Sequence, residues 1–374
     1  MRSSLQTLLS ILLLLCCSNA LESSHKISTD VSAAPSNAQA GVYTLYMSTS
    51  GKDSNNGLTP GTPVKTLRAV QKILHATRPN GLSEDVEVRI GYGTYHGQTV
   101  SWDYYSPNHT ITFMPIDYAY AGSPNRPVFD GNSAEEWFFK LIAKDGKPTN
   151  IRFHYLRIQK YVPGGIIFRG DRNDFSKWNG HNEIYGCYFY RIGNKGTTSA
   201  TFGYAAVDLV NSDHNTIDNS HFTYIRNNSP NESHIHALYV AHNSSDNIAR
   251  RNRYYKINGD PIKVRDYSNF NTFDGDGTDD YELTGKTAFY QDWYCMDTKL
   301  SSRCPKTTGE TCTKAVECPS YENRFRFNKL ECGHSGRDIS VFRYFPADPT
   351  CNPPGCPPPP GVRLHTAQNT KNCP

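Results

Sequence analysis

Short runs of alternating apolar and polar residues, separated by turn-rich segments, dominate the second half of the chain. Residues 165–169 (GIIFR) open the series, and 206–211 (AVDLVN), 237–242 (ALYVAH), 261–266 (PIKVRD) and 338–343 (DISVFR) continue it. A period of two is that of a strand with one face buried. It places Val207 and Leu209, Leu238 and Val240, Ile262 and Val264, and Ile339 and Val341 inside. No long helical period appears between them, which argues against an α/β arrangement.

A second kind of segment recurs without gaps: 182–189 (NEIYGCYF), 215–222 (NTIDNSHF), 247–254 (NIARRNRY) and 323–330 (NRFRFNKL), with a looser copy from Asn150. Each opens on Asn, has Cys, Ser or Asn five residues on, and a large apolar or aromatic residue seven on. The first copies lie roughly 32 residues apart, a period that marks a solenoid. Short strands between polar turns cannot bury both faces alone, but stacked as coils about 4.8 Å apart they can. Asn suits the turns because it tolerates left-handed backbone angles and its amide can bond the Asn of the next coil. The fold expected is all-β, a right-handed parallel β-helix. Residues 42–48 read as an entry strand, and 86–95 and 110–114 as early coils. Residues 64–77 read as an amphipathic helix, with Leu67, Val70, Ile73 and Leu74 on one face, placed to cap the open end.

The entry region also carries a likeness. Residues 51–60 (GKDSNNGLTP), then 66–70 (TLRAV) and 88–95 (VRIGYGTY), resemble the amino-terminal signature of the pectin-lyase-like superfamily. The resemblance covers roughly residues 41–345 and implies the β-helix fold. It does not specify a reaction, because that superfamily includes lyases, hydrolases, esterases, epimerases and non-catalytic adhesins. The Arg-x-Pro-x-x-Arg pattern of the calcium pectate lyases is absent from the sequence. Residues 271–275 (NTFDG), Asp279-Asp280 and residues 333–336 (GHSG) resemble polygalacturonase motifs, but the first carries an inserted Phe. The plainer reading of 274–280 is an Asp/Gly-rich turn.

The ends have their own character. Residues 1–20 read as a signal peptide: Arg2, an apolar run over 8–17, and small residues at 18–20. Residues 21–40 read as a disordered lead-in, 41–345 as the solenoid, and 346–374 as a Pro/Cys-rich tail. Eight cysteines from Cys295 to Cys373 suit up to four disulfides in a secreted, extracellular protein, with the pairing left open. Cys187 falls on a repeat position and reads as a buried, free rung. Sequons at Asn108, Asn227, Asn231 and Asn243 would sit on exposed loops. A formal charge of +4 is small for 374 residues and leaves room for a local patch. The expected partner is an acidic polysaccharide or glycan. Nucleic acid and membrane insertion are not expected, and the chain reads as a monomer.

Stacking the alternating strands generates outward columns of ionisable groups. One holds Asp208, Tyr239 and Lys263; the next outward position holds Val210, Ala241 and Arg265; the turn position holds Asn211, His242, Asp266 and Asp292; His236 and Asp260 align at the strand start. Such a groove suits β-elimination from a uronate, which needs a base, a cation and an acid. Lys263 or His236 is the candidate base, Arg265 the carboxylate clamp and Tyr239 the acid. Asp208, His242, Asp260 and Asp266 are candidate substrate-binding residues, and the three aspartates also offer oxygen ligands for Ca²⁺. Three readings follow: a polysaccharide lyase or epimerase, a non-catalytic carbohydrate-binding or adhesive solenoid, and a glycoside hydrolase of the polygalacturonase type. Against all three stands a plain surface charge ladder.

Overall fold

The computed structural model describes residues 41–372, apart from 120–124, 280–287, 307–311, 313, 315, 332–339, 346, 347 and 349. The expected signal peptide and lead-in, Ile339, Asp280, the GHSG segment, Cys332 and Cys373 lie outside the described residues. Three parallel sheets of ten, nine and eight strands, with a small fourth of two strands, make up the fold among the described residues. The chain visits them in turn, one strand per sheet per coil, and each strand pairs in parallel with its counterpart in the next coil. This is the parallel β-helix read from the repeat, right-handed as parallel crossovers are.

The inward positions follow the period-two reading. Val207, Leu209, Leu238, Val240, Ile262 and Val264 are all buried, and Val341 packs against the same core. Aromatic rings stack through the interior from coil to coil, Phe189 on Phe222 at 5.0 Å and Phe222 on Tyr254 at 5.3 Å.

The turns are held by side-chain ladders. The amide of Asn182 donates to Asn215 Oδ1 at 2.9 Å, Asn215 to Asn247 at 2.8 Å, Asn247 to Asn271 at 2.9 Å and Asn271 to Asn323 at 3.0 Å. Each acceptor also takes the backbone N–H of the preceding Asn. Buried turn donors are thereby satisfied without water. Asn271 is a rung of this ladder, which gives the NTFDG segment a structural role. A second ladder runs through Cys187, Ser220, Asn252, Asp276 and Asn328. Cys187 is free and buried as expected, and burial pushes its thiol up to about 12.

At the amino-terminal end the signature segment builds the cap. Asp53 accepts from the backbone of Lys65 and Thr66, both at 2.9 Å, and from the Thr66 hydroxyl at 2.8 Å. Thr66 in turn caps the helix Leu67–Thr77 by accepting from Ala69 N at 3.1 Å. Gly51 is required here, since a Cβ would stand 2.3 Å from the Val64 carbonyl oxygen. Leu67, Val70 and Leu74 close the end of the core, with Ile73 partly buried beside them. No helix among the described residues is long and apolar enough to cross a membrane.

Among the described residues three disulfides tie the late region together: Cys295–Cys312, Cys304–Cys351 and Cys318–Cys356. The Pro/Cys-rich segment returns to the solenoid. Leu364–Ala367 and Thr370–Asn372 pair with Asn323–Arg326 and Lys329–Glu331 as the last strands of two sheets. Asp292 is not at the turn position beside Asp266. It pairs with Val264 and so faces the core, where Arg363 of the returning tail donates to it at 2.9 Å. An inward carboxylate at the end of the stack needs a cation, and the tail supplies it. Asn227 departs from the loop position expected of a sequon. It is buried, donating to Gly203 O at 2.9 Å and accepting from Gly203 N at 2.8 Å.

Asp276 offers a test of the ladder. Burial raises its carboxyl from 3.8 to about 7. A raised folded-state value means its contribution is fully present below the unfolded value and lost as pH rises through 7. Asp276→Asn keeps the ladder without the charge, so it should raise the melting temperature at pH 8 and do so less at pH 5. Equal shifts at both pH values would refute the assignment.

Candidate functional site

The third sheet carries the outward columns in the expected register. Asp208 pairs with Tyr239, Tyr239 with Lys263, and Lys263 with Gln291. Asn211, His242 and Asp266 each adopt left-handed backbone at the turn that follows, with φ of 47°, 53° and 54°. Polar side chains are thereby aligned coil on coil at one edge of the sheet.

The cluster is covered, however, and is not the shallow open groove expected. Lys263 and Arg265 point away from the core, yet each is less than a tenth exposed, and Asp208, His236, His242, Asp260 and Asp266 are buried as well. The cause is one long coil. Asn247 and Asn271 are 24 residues apart, whereas Asn271 and Asn323 are 52 apart. The described part of the extra chain brings Glu317 to Arg265, and Cys318 next to it is tied to Cys356. Trp293 covers the cations from the same side, its ring 4.0 Å from the Arg265 guanidinium and 5.1 Å from Lys263 Nζ.

Arg265 is the hub of the covered network. Its Nε donates to Asp266 Oδ2, its Nη1 to the Tyr239 hydroxyl at 3.0 Å and its Nη2 to Glu317 Oε2 at 2.6 Å. His242 Nδ1 lies 3.2 Å from the same Asp266 oxygen. Burial pushes the Asp266 carboxyl well above its usual range, against the pull of Arg265 and with the repulsion of Glu317. One cation beside two carboxyls therefore balances with one of them protonated, which suits a dry site. Burial also pushes His242 well below its usual value, with Arg265 and Arg172 adding to the effect. The ring is neutral at pH 7. A neutral imidazole keeps one ring nitrogen unprotonated and able to accept a proton. Burial holds the Tyr239 phenol protonated well above its ordinary range, Arg265 opposing. Because Arg265 donates to its oxygen, the Tyr239 proton is available to another acceptor.

These groups meet a cleft of about 340 Å³. Its chemistry comes from Tyr239, His242, Arg265 and Asp208, together with Arg169 and Arg172. Trp137 and Tyr204 supply ring faces, and Tyr204 is half exposed. Asp208 is raised by burial to about 6, with Arg169 and Arg172 pulling it down. Arg169 Nε is buried and has no hydrogen-bond partner. Gly164 makes room for the wall, since a Cβ there would fall 2.0 Å from the Trp137 ring.

Not every predicted residue reaches the cleft. His236 Nδ1 bonds the Asp260 carbonyl at 2.8 Å, and Asp260 Oδ1 accepts from Ala288 N at 2.7 Å. Burial and Lys263 together depress His236 well below its usual value, while burial raises Asp260 to about 6 against Lys263. His236, Asp260 and Lys263 thus form a buried layer beside Tyr239, outside the cleft lining. The three aspartates offered for Ca²⁺ are not drawn into one cluster. In this region the ligand atoms that converge, within 4.8 Å of one another, are those of His242, Asp266 and Glu317. Arg265 already bonds both carboxyls there and supplies the positive charge an ion would bring. Sequence reading missed Arg169, Arg172, Trp137, Tyr204 and Glu317. Arg169 was legible as the last residue of GIIFR, one coil before Val210; Glu317 was not, because it lies in an insertion without a period.

No protein-family model matches the chain, and no curated protein does. Among solved structures it is similar to an alginate lyase from Paenibacillus sp. str. FPU-7, at 12% identity, 88% of this chain and 95% of that one covered, and a TM-score of 0.44. It is also similar to pectate lyase Pel9A, at 13% identity, coverage of 82% and 74%, and a TM-score of 0.38. A third is the GH136 lacto-N-biosidase from Eubacterium ramulus, at 11% identity, coverage of 88% and 68%, and a TM-score of 0.35. The fold itself is read from the sheets: the protein is a parallel β-helix.

Removing Glu317 leaves Arg265 with one carboxyl fewer in a dry site. Glu317→Ala should lower unfolding free energy by roughly 3 kcal/mol, and Glu317→Gln by less, since it keeps an acceptor. Urea denaturation of both variants measures this; equal and negligible losses would show that the insertion does not hold the network.

Proposed function

We propose that the protein is a secreted, carbohydrate-active enzyme that cleaves or epimerises a uronate-containing polysaccharide through proton abstraction next to the carboxylate. The observation that carries this reading is the meeting of His242 and Tyr239 in one arginine-lined cleft, where burial favours the neutral imidazole and the protonated phenol. Arg169 and Arg172 bind the uronate carboxylate and draw charge from the ring carbon beside it. The unprotonated ring nitrogen of His242 takes the proton from that carbon. Tyr239 gives its proton to the departing glycosidic oxygen, and the new double bond forms as the C–O bond breaks. In an epimerase the proton would return instead from the opposite face. Asp266 orients His242, while Arg265 orients Tyr239 and steadies the charge that develops on its oxygen. Trp137 and Tyr204 offer faces for sugar rings. The three disulfides support an oxidising, extracellular setting.

Lys263 and His236 are second to His242 as the base because neither lines the cleft. A hydrolase reading gains less support, since Asp266 and Glu317 share one arginine.

The test is a panel of uronans read by the ultraviolet absorbance of unsaturated chain ends and by proton exchange with deuterated water. His242→Ala and Tyr239→Phe should each lower turnover by about a thousandfold. Arg169→Lys should impair it through loss of the two-pronged donor. Activity should fall on the acid side only well below pH 6.5, as His242 gains its proton. New reducing ends without unsaturation would show a hydrolase. Uronan binding with neither product nor exchange would show a binding solenoid.

A further inference from the structure

The second sheet carries another cluster, which the proposed reaction does not use. Gln159 pairs with Tyr190, Tyr190 with Thr223, and Thr223 with Tyr255. The residues that follow therefore form a column across four coils: Lys160, Arg191, Tyr224 and Lys256. All four adopt left-handed backbone, with φ of 56°, 52°, 57° and 53°. Residues other than glycine seldom do so, and its repetition sets these side chains in one line, about 4.8 Å per coil.

Cations and rings lie side by side along this line. The Tyr190 and Tyr224 rings are 5.7 Å apart, and those of Tyr224 and Tyr255 5.4 Å. Arg191 lies 5.2 Å from the Tyr190 ring, Arg157 4.8 Å from the same ring, and Arg226 4.8 Å from that of Tyr224. A cleft of about 330 Å³ opens here, lined by Arg191, Lys195 and Arg226 with Tyr224, and no carboxylate lines it. Asp130 pairs with Lys160 at 2.8 Å and neutralises that end of the column. Like charges at coil spacing repel one another. An anionic ligand relieves that repulsion, arginine forks match its oxygens, and tyrosine faces match the C–H faces of sugar rings.

We propose that this face is a second, non-catalytic binding surface for an anionic polysaccharide, with carboxylate or sulfate groups on the cations and sugar rings on the tyrosines. It stands on its own residues and is independent of the reaction assigned to the third sheet.

The experiment is affinity electrophoresis of the full chain in gels containing polygalacturonate, chondroitin sulfate or neutral xyloglucan. Wild type and His242→Ala should both be retarded by an acidic polymer, less so as salt rises, and not by xyloglucan. Whichever acidic polymer retards more identifies the preferred anion. Arg191 and Lys195 are exposed, so Arg191→Glu with Lys195→Glu should leave the melting temperature unchanged and weaken binding about tenfold. Arg191→Ala with Lys195→Ala should give a smaller loss and serves if the charge reversal impairs folding. Unchanged retardation of both double variants would overturn the proposal. So would no retardation of wild type by either acidic polymer, equal retardation by xyloglucan, or binding lost in His242→Ala alone.

Discussion

Coil-to-coil register is the constraint on which everything else depends. A parallel strand one residue out of step would turn its core face to solvent. The Asn ladder fixes the step, because each amide bonds both the side chain and the backbone of its neighbour in the stack. Once the register is fixed, positions equivalent by sequence become neighbours in space. That is how Asp208, Tyr239 and Lys263, scattered along the chain, come to lie side by side.

The same constraint explains what could be read in advance. Positions within the repeat were legible: the inward valines and leucines, the Asn turns, the buried Cys187, and the outward column through Tyr239. Each follows from a local period that the fold repeats. Positions outside the repeat were not legible. Glu317 reaches Arg265 from an insertion, and Trp137 reaches the cleft past Gly164; neither contact leaves a trace in spacing. Asp292 was misplaced for a related reason. Trp293 pairs with Arg265, so the turn position equivalent to Asp266 lies two residues beyond Asp292, and Asp292 falls on an inward position beside Val264.

Burial changes the chemistry of the columns. An open ladder of Asp, Tyr, Lys and Arg would hold ordinary charges in water and do little. Under the insertion, the histidine loses its proton, a carboxyl keeps one, and the tyrosine remains a donor. The surface ladder becomes a set of groups with distinct acid–base states, and the covering loop is therefore part of the chemistry.

The unequal coils have a broader meaning. A ladder that joins only the turn residues is indifferent to how much chain lies between them, as the 24- and 52-residue coils on either side of Asn271 demonstrate. Segments can lengthen, shorten or be exchanged at that edge while the rungs above and below keep their places. The scaffold and the cover are thus separable inheritances. One lineage could acquire a new specificity by replacing a single loop, with no strand of the solenoid altered.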